Sequence, residues 1–228
     1  MLTKMIQTGL LAGFITAVVY SLIQSVTVTP IIYEAERYEV GISIDHNSIK
    51  LATEDKSDYL KEEIKRYSFT LLTNIVVSIG FAFLIVAGFV LSKRKINPKE
   101  GMYWGLFGYF IFILFPALGL PPEVPGSIST PVEGRQIWWV FTVVATTVGM
   151  GFGFFIKNTY VRLMCLFVII LPHLIGAPNI SDLKPGLVPL EIATHYVVWT
   201  LFTSLVFWII LGASSGMIYK RLTISSDD

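Results

Sequence analysis

The chain has 228 residues, 54% of them hydrophobic and only 14% charged, with a formal net charge of +1. Soluble domains carry roughly 25% charged residues; here the few charges sit in short blocks between nearly uncharged runs, which excludes an ordinary soluble domain and indicates a polytopic membrane protein. The net charge selects no partner class by itself, and no basic run calls for nucleic acid.

Lys4 precedes an apolar stretch from Met5 to Val28. Signal-peptide apolar regions run to about 15 residues and end at a small-residue cleavage site. This stretch is longer and has no such site, so it reads as a retained first span. Further segments long enough to cross about 30 Å of hydrocarbon run from Tyr67 to Leu91, Gly101 to Leu120, Gln136 to Ile156 and Ala193 to Ile218. A shorter one, Val161 to Ile175, either spans or re-enters. Cys165 lies inside it, alone in the chain, which rules out an internal disulfide and reads as an apolar packing residue.

Between the first two spans lies a charged loop, about residues 29–66, whose second half pairs Glu62 with Arg66 at i,i+4 and is expected to run as a helix into the second span. Six spans place both termini in the cytoplasm. Nine of the 17 Lys and Arg then fall inside, in Lys4, Lys93–Lys95 with Lys99, Lys157 with Arg162, and Lys220 with Arg221, against three acids. That is the asymmetry expected of cytoplasmic loops. Five spans, the alternative, expose Lys220 and Arg221. The expected fold is therefore all-α: one integral-membrane domain, a six-span helix bundle in the cell membrane. Gly9/Gly13, Gly101/Gly105, Gly149/Gly153 and Gly212/Gly216 carry GxxxG spacing, which lets backbones approach closely in lipid. These stripes are expected to pack against other helices, in this chain or in an oligomer. Trp138, Trp139 and Trp199, with Tyr20 and Tyr196, read as an aromatic belt.

The spans hold no phosphate loop, no HExxH and no internal Asp or Glu, so neither an NTPase nor a complete ion pump is expected. No enzyme motif and no organic cofactor motif is present. Chemistry concentrates on the outer face, where the six-span arrangement puts His46, His173 and His195 with Glu34, Glu36, Glu39, Glu123, Glu133 and Glu191. Glu191 and His195 are one helical turn apart. Imidazole with carboxylate suits first-row divalent metals. The simpler reading makes His173 a helix-end residue after Pro172 and His195 an interfacial residue bonded to backbone.

The stretches "TPIIYEAERYE" (Thr29–Glu39), "GLPPEVPG" (Gly119–Gly126), "RQIWW" (Arg135–Trp139) and "LPHLIGAP" (Leu171–Pro178) resemble the signature blocks of CbtA, a family of predicted cobalt-transporter subunits associated with cobalamin synthesis. The resemblance implies cobalt as cargo and a small single-span, His-rich partner subunit. It also implies five spans rather than the six that charge favours. The expected function is thus a membrane subunit of a divalent-metal uptake system that captures metal at the outer face. The alternative is a structural or assembly subunit with glycine stripes as docking faces. The expected metal site joins His173 and His195 with Glu191, Glu34 or Glu123, because a loop of about 17 residues should keep the last two spans adjacent. Imidazolium cannot ligate, so binding through histidine should weaken below about pH 6.5.

Overall fold

The structure, a computed structural model, describes residues 2–43, 56–127, 129–178 and 186–224. His46 lies outside the described residues. Those residues form helices α1 (Leu2–Val26), α2 (Val28–Ser43), α3 (Lys56–Ser92) and α4 (Pro98–Tyr109), a π-helical turn (Phe110–Leu114), α5 (Phe115–Gly119), α6 (Val132–Phe155), α7 (Thr159–Ile175) and α8 (Leu190–Ile224). Five segments are long and apolar enough to cross a membrane: α1, α3, α6, α8 and the run from α4 through α5. The 17-residue α7 is apolar but shorter. At 1.5 Å per residue it extends about 25 Å, close to the thickness of the hydrocarbon core.

Local sequence explains the helix ends. Asn97 caps α4 by accepting hydrogen bonds from the Lys99 and Glu100 backbone N–H groups, with Pro98 at the first helical position where no donor is needed. Asn158 caps α7 in the same way, through Tyr160 and Val161. Gly176, at φ +90°, ends α7 in a conformation that disfavours a side chain. The π turn precedes Pro116, which has no N–H for the carbonyl four residues back. The chain widens there, so that Phe115 N–H donates to Phe110 O, five residues earlier.

Contacts fix the helix directions. Asn74 on α3 donates to Ser21 Oγ (2.9 Å) and Gln24 Oε1 (2.7 Å) near the end of α1, while Gly13 faces Ile79, so α1 and α3 run antiparallel. Thr16 and Ser214 hydroxyls lie 3.4 Å apart and the Tyr20 and Phe207 rings 4.9 Å, so α8 is antiparallel to α1. Glycines on α4 and α8 meet with Asn97 beside Gly216, and Gly149 on α6 meets Cys165 and Ile169 on α7. The crossings alternate in direction, and α7 passes along α6 without turning back. Lys4, Lys93–Lys95, Lys99, Lys157, Arg162, Lys220 and Arg221 consequently gather at one end, the basic end.

Burial differs from that of a soluble protein in that small polar residues join the interior and large apolar side chains face outward. Thr8, Thr16, Ser78, Thr142, Thr146, Thr203 and Ser215 are buried, while Leu11, Phe14, Leu72, Val76, Phe141 and Phe202 are exposed. Lipid tails reward small polar contacts inside and apolar surface outside. A core of Val86, Phe89, Tyr109, Phe207, Trp208 and Leu211 fills the centre between α3, α4 and α8.

The second half of the outer loop runs as a helix into the second span, as expected, with α3 beginning at Lys56, and its first half adds a helix, α2. The glycine stripes pack against other helices, and those helices lie within the chain. A Cβ on Gly13 would sit 2.6 Å from Ile79 Cα, one on Gly101 2.9 Å from Gly216 Cα, and one on Gly149 2.8 Å from Cys165 O. Trp138, expected in the belt, is 5% exposed; it tucks beneath Gly119 and donates from Nε1 to Pro172 O (3.3 Å). Trp139 and Trp199 keep exposed faces.

Candidate functional site at the end opposite the basic clusters

At this end three separate parts of the chain meet on a small buried cluster of Ala35 from α2, Val124 from the loop after α5, and Ile192 from the start of α8. Local sequence makes the meeting possible. Pro121 and Pro122 prevent α5 from continuing and turn the chain so that Val124 points inward, 3% exposed. Pro30 stands in the first turn of α2, where a missing donor costs nothing.

Each member of the cluster is preceded by a carboxylate: Glu34, Glu123 and Glu191. All three are exposed. Glu123 accepts from Arg135 Nη1 on the first turn of α6 at 2.9 Å and also from Ser129 Oγ. His195, exposed, lies one turn beyond Glu191 on α8. Nearby, Glu36 pairs with Arg66 in a two-pronged contact, with Arg66 Nη1 to Glu36 Oε2 at 3.0 Å. The Arg66 guanidinium also stacks 4.7 Å over the Tyr33 ring. The Tyr33 hydroxyl has its pKa raised, first by burial and then by the adjacent Tyr67.

His173 is set apart from this group. It lies on α7 beyond Pro172, with its ring 5.6 Å from Trp138 and 6.3 Å from Phe115. Its Nε2 is buried and has no hydrogen-bond partner among the described residues. α7 packs along α6, whereas α8 packs along α4 and α1, so the helices carrying His173 and His195 are not packed side by side. The glycine stripes explain why. The Gly212/Gly216 face of α8 takes Gly101/Gly105, and the Gly149/Gly153 face of α6 takes α7. The connection between α7 and α8 is long enough to leave their positions to those faces. Among the described residues, no three His, Cys, Asp or Glu side chains converge as a ready metal cage. The carboxylates surround one cluster without sharing one focus.

Sequence reading overlooked Arg135 and Ser129, the groups that hold Glu123. The available signal was their spacing from Glu123 across a proline-rich turn. It also overlooked two cavities between the helices, each open on one side. One of about 530 Å³ lies between α3, α4 and α6 toward the basic end, and one of about 780 Å³ lies between α5, α6 and α8 toward the other.

No curated protein and no solved structure matches the chain. A family model described as "Probable cobalt transporter subunit (CbtA)" does match, over residues 2–220. With alternating apolar crossings and that match along nearly its whole length, the chain belongs to the CbtA family.

Proposed function

We propose that this chain is the membrane-integral subunit of a cobalt uptake system that takes up the metal at the end opposite its basic clusters. On this reading that end faces outward and both termini are cytoplasmic, since basic loops are retained inside. The observation that carries the proposal is the meeting of the Glu34, Glu123 and Glu191 segments around Ala35, Val124 and Ile192, with His195 one turn away. Hard and borderline divalent cations favour carboxylate and imidazole ligands. Flexible exposed carboxylates on a rigid base attract the ion, and His195 supplies nitrogen.

Arg135 is the counter-ion that Glu123 must leave before it ligates, so capture is an exchange of an internal ion pair for a metal bond. His173, with an unpartnered Nε2, is a separate candidate ligand away from this cluster. The structural-subunit alternative loses its docking argument, because the four glycine stripes are filled within the chain. A partner subunit docks on another face.

The test is accumulation of radioactive cobalt by cells with and without this chain, with the remaining subunits present. Glu191→Gln with His195→Ala should raise the half-saturating cobalt concentration at least tenfold at an unchanged membrane level of the chain. Uptake with parental affinity in that double variant would overturn capture at this end.

A further inference from the structure

The two cavities between the helices, each open on one side, are stacked along the direction of the helices and end on the same side chain. The inner one reaches from Ser92, Arg94 and Glu100 at the basic end to Phe112 and Trp208. The outer one reaches from Pro121, Pro122 and Arg135 to Phe112, Trp139 and Ser204. Phe112 is therefore the shared wall. Its ring stacks on Trp208 at 5.7 Å and 5° and stands 6.4 Å from Trp139, with Phe81 closing the layer at 5.0 Å from Phe112 and 4.7 Å from Trp208.

Two independent features converge at this layer. Phe112 is the middle residue of the π turn, and such widened turns occur often at functional sites because their hydrogen bonding shifts more easily than that of an α-helix. The same turn, with α5, is where the α6–α7 pair meets the rest of the bundle. Toward the basic end that pair touches the bundle through side chains. Phe154 lies 5.5 Å from Phe107 and beneath the Arg94 guanidinium at 5.0 Å. The pair α6–α7 is thus joined to the bundle mainly along the π turn and α5, with one cavity on each side of Phe112.

We infer that the Phe112–Trp208 layer is a gate between an outward and an inward chamber, and that it opens when α6–α7 moves about the π turn. The inference rests on the reading that the chain carries its cargo across the membrane. At about 30 Å³ per water, an ion with six waters needs roughly 200 Å³, less than the inner cavity of about 530 Å³. An apolar constriction blocks such an ion by excluding its water. This accounts for a path with few charged groups: Glu100 and Arg94 stand at its basic mouth, and aromatic rings close its middle.

The experiment measures which side of the membrane reaches the inner chamber, in the assembled system in intact and permeabilised cells. A single cysteine replaces Thr147, which lines the inner chamber, or Gln136, which lines the outer one, with Cys165→Ser as background. A membrane-impermeant maleimide should label Gln136→Cys from outside, and Thr147→Cys only after permeabilisation. Adding Phe112→Ala should raise outside labelling of Thr147→Cys at least tenfold, while the milder Phe112→Leu should raise it about threefold. Retained labelling of Gln136→Cys reports that each variant is folded. If neither change at Phe112 raises outside labelling of Thr147→Cys, the layer is packing and not a gate. Labelling needs no cobalt transport, so the gate and the cobalt reading fail separately.

Discussion

Two seams of the bundle are built by opposite means. Between α4 and α8, four glycines bring backbone onto backbone: Gly212 packs against Gly105 Cα, and Gly216 against the Asn97 carbonyl. Between α6 and the same bundle the contacts are aromatic side chains, Phe112 on Trp139 and Phe107 on Phe154, with cavities beside them. At these four glycines the first seam is backbone against backbone. The second is made of rings that rotate about single bonds. The difference indicates a rigid frame of α1, α3, α4 and α8 carrying a more loosely attached pair, α6–α7.

The strongest way to break the comparison is to enlarge the rigid seam. Gly101→Ile or Gly212→Ile drives a branched side chain into backbone atoms and should cost about 3 kcal/mol or more. Most of the folded, monodisperse chain should be lost in detergent size-exclusion traces.

A finer contrast lies within α1. A Cβ at Gly13 meets Ile79 backbone atoms, whereas one at Gly9 meets the Phe83 ring, which can turn aside. Gly13→Ala should cost about 1–3 kcal/mol and Gly9→Ala less than half of that, read as melting temperatures of the two proteins side by side. Equal losses would mean that the ring is as fixed as backbone.

At the carboxylate end, Arg135→Gln removes the partner of Glu123. The pair is partly exposed, so stability should change by less than about 1 kcal/mol. Cobalt affinity should rise several-fold, because Glu123 no longer has to leave an ion pair, and titration of radioactive cobalt uptake checks it.

The smallest effect belongs to the loose seam. Gly151 on α6 borders the inner cavity, and nothing lies within 4 Å of a Cβ placed there. Gly151→Ala should be neutral or stabilise the helix by up to about 1 kcal/mol. A loss as large as that at Gly13 would show that this seam closes tightly in the membrane.

Much of this frame is legible in sequence because it depends on short-range pattern. Apolar runs mark the crossings, Asn97 and Asn158 mark helix starts, and the basic blocks fall at one end. The glycine spacing also reads correctly as close packing. Which stripe meets which is not written in the spacing, and so α7 was expected beside α8 rather than along α6 alone. α2 was hidden because its helical face is short and mixed with charge, and it is stabilised by burying Ala35 against Val124 and Ile192, residues distant in sequence. Of the candidate ligands, Glu191 and His195 are neighbours by helix geometry, and the chain fold brings Glu34 and Glu123 to the same end. His173 stands elsewhere because Trp138 and Phe115 enclose it, and a lone histidine among apolar residues carries no mark of its neighbours.

The central claim is that the carboxylate end faces outward and takes up cobalt, and one labelling measurement addresses both parts. In the Cys165→Ser background, Thr194→Cys places a thiol at an exposed position beside His195. An impermeant maleimide applied to intact cells should label it readily, and cobalt, but not magnesium, should slow that labelling at least tenfold. Labelling that appears only after permeabilisation, or that proceeds at the same rate with cobalt present, would contradict the account.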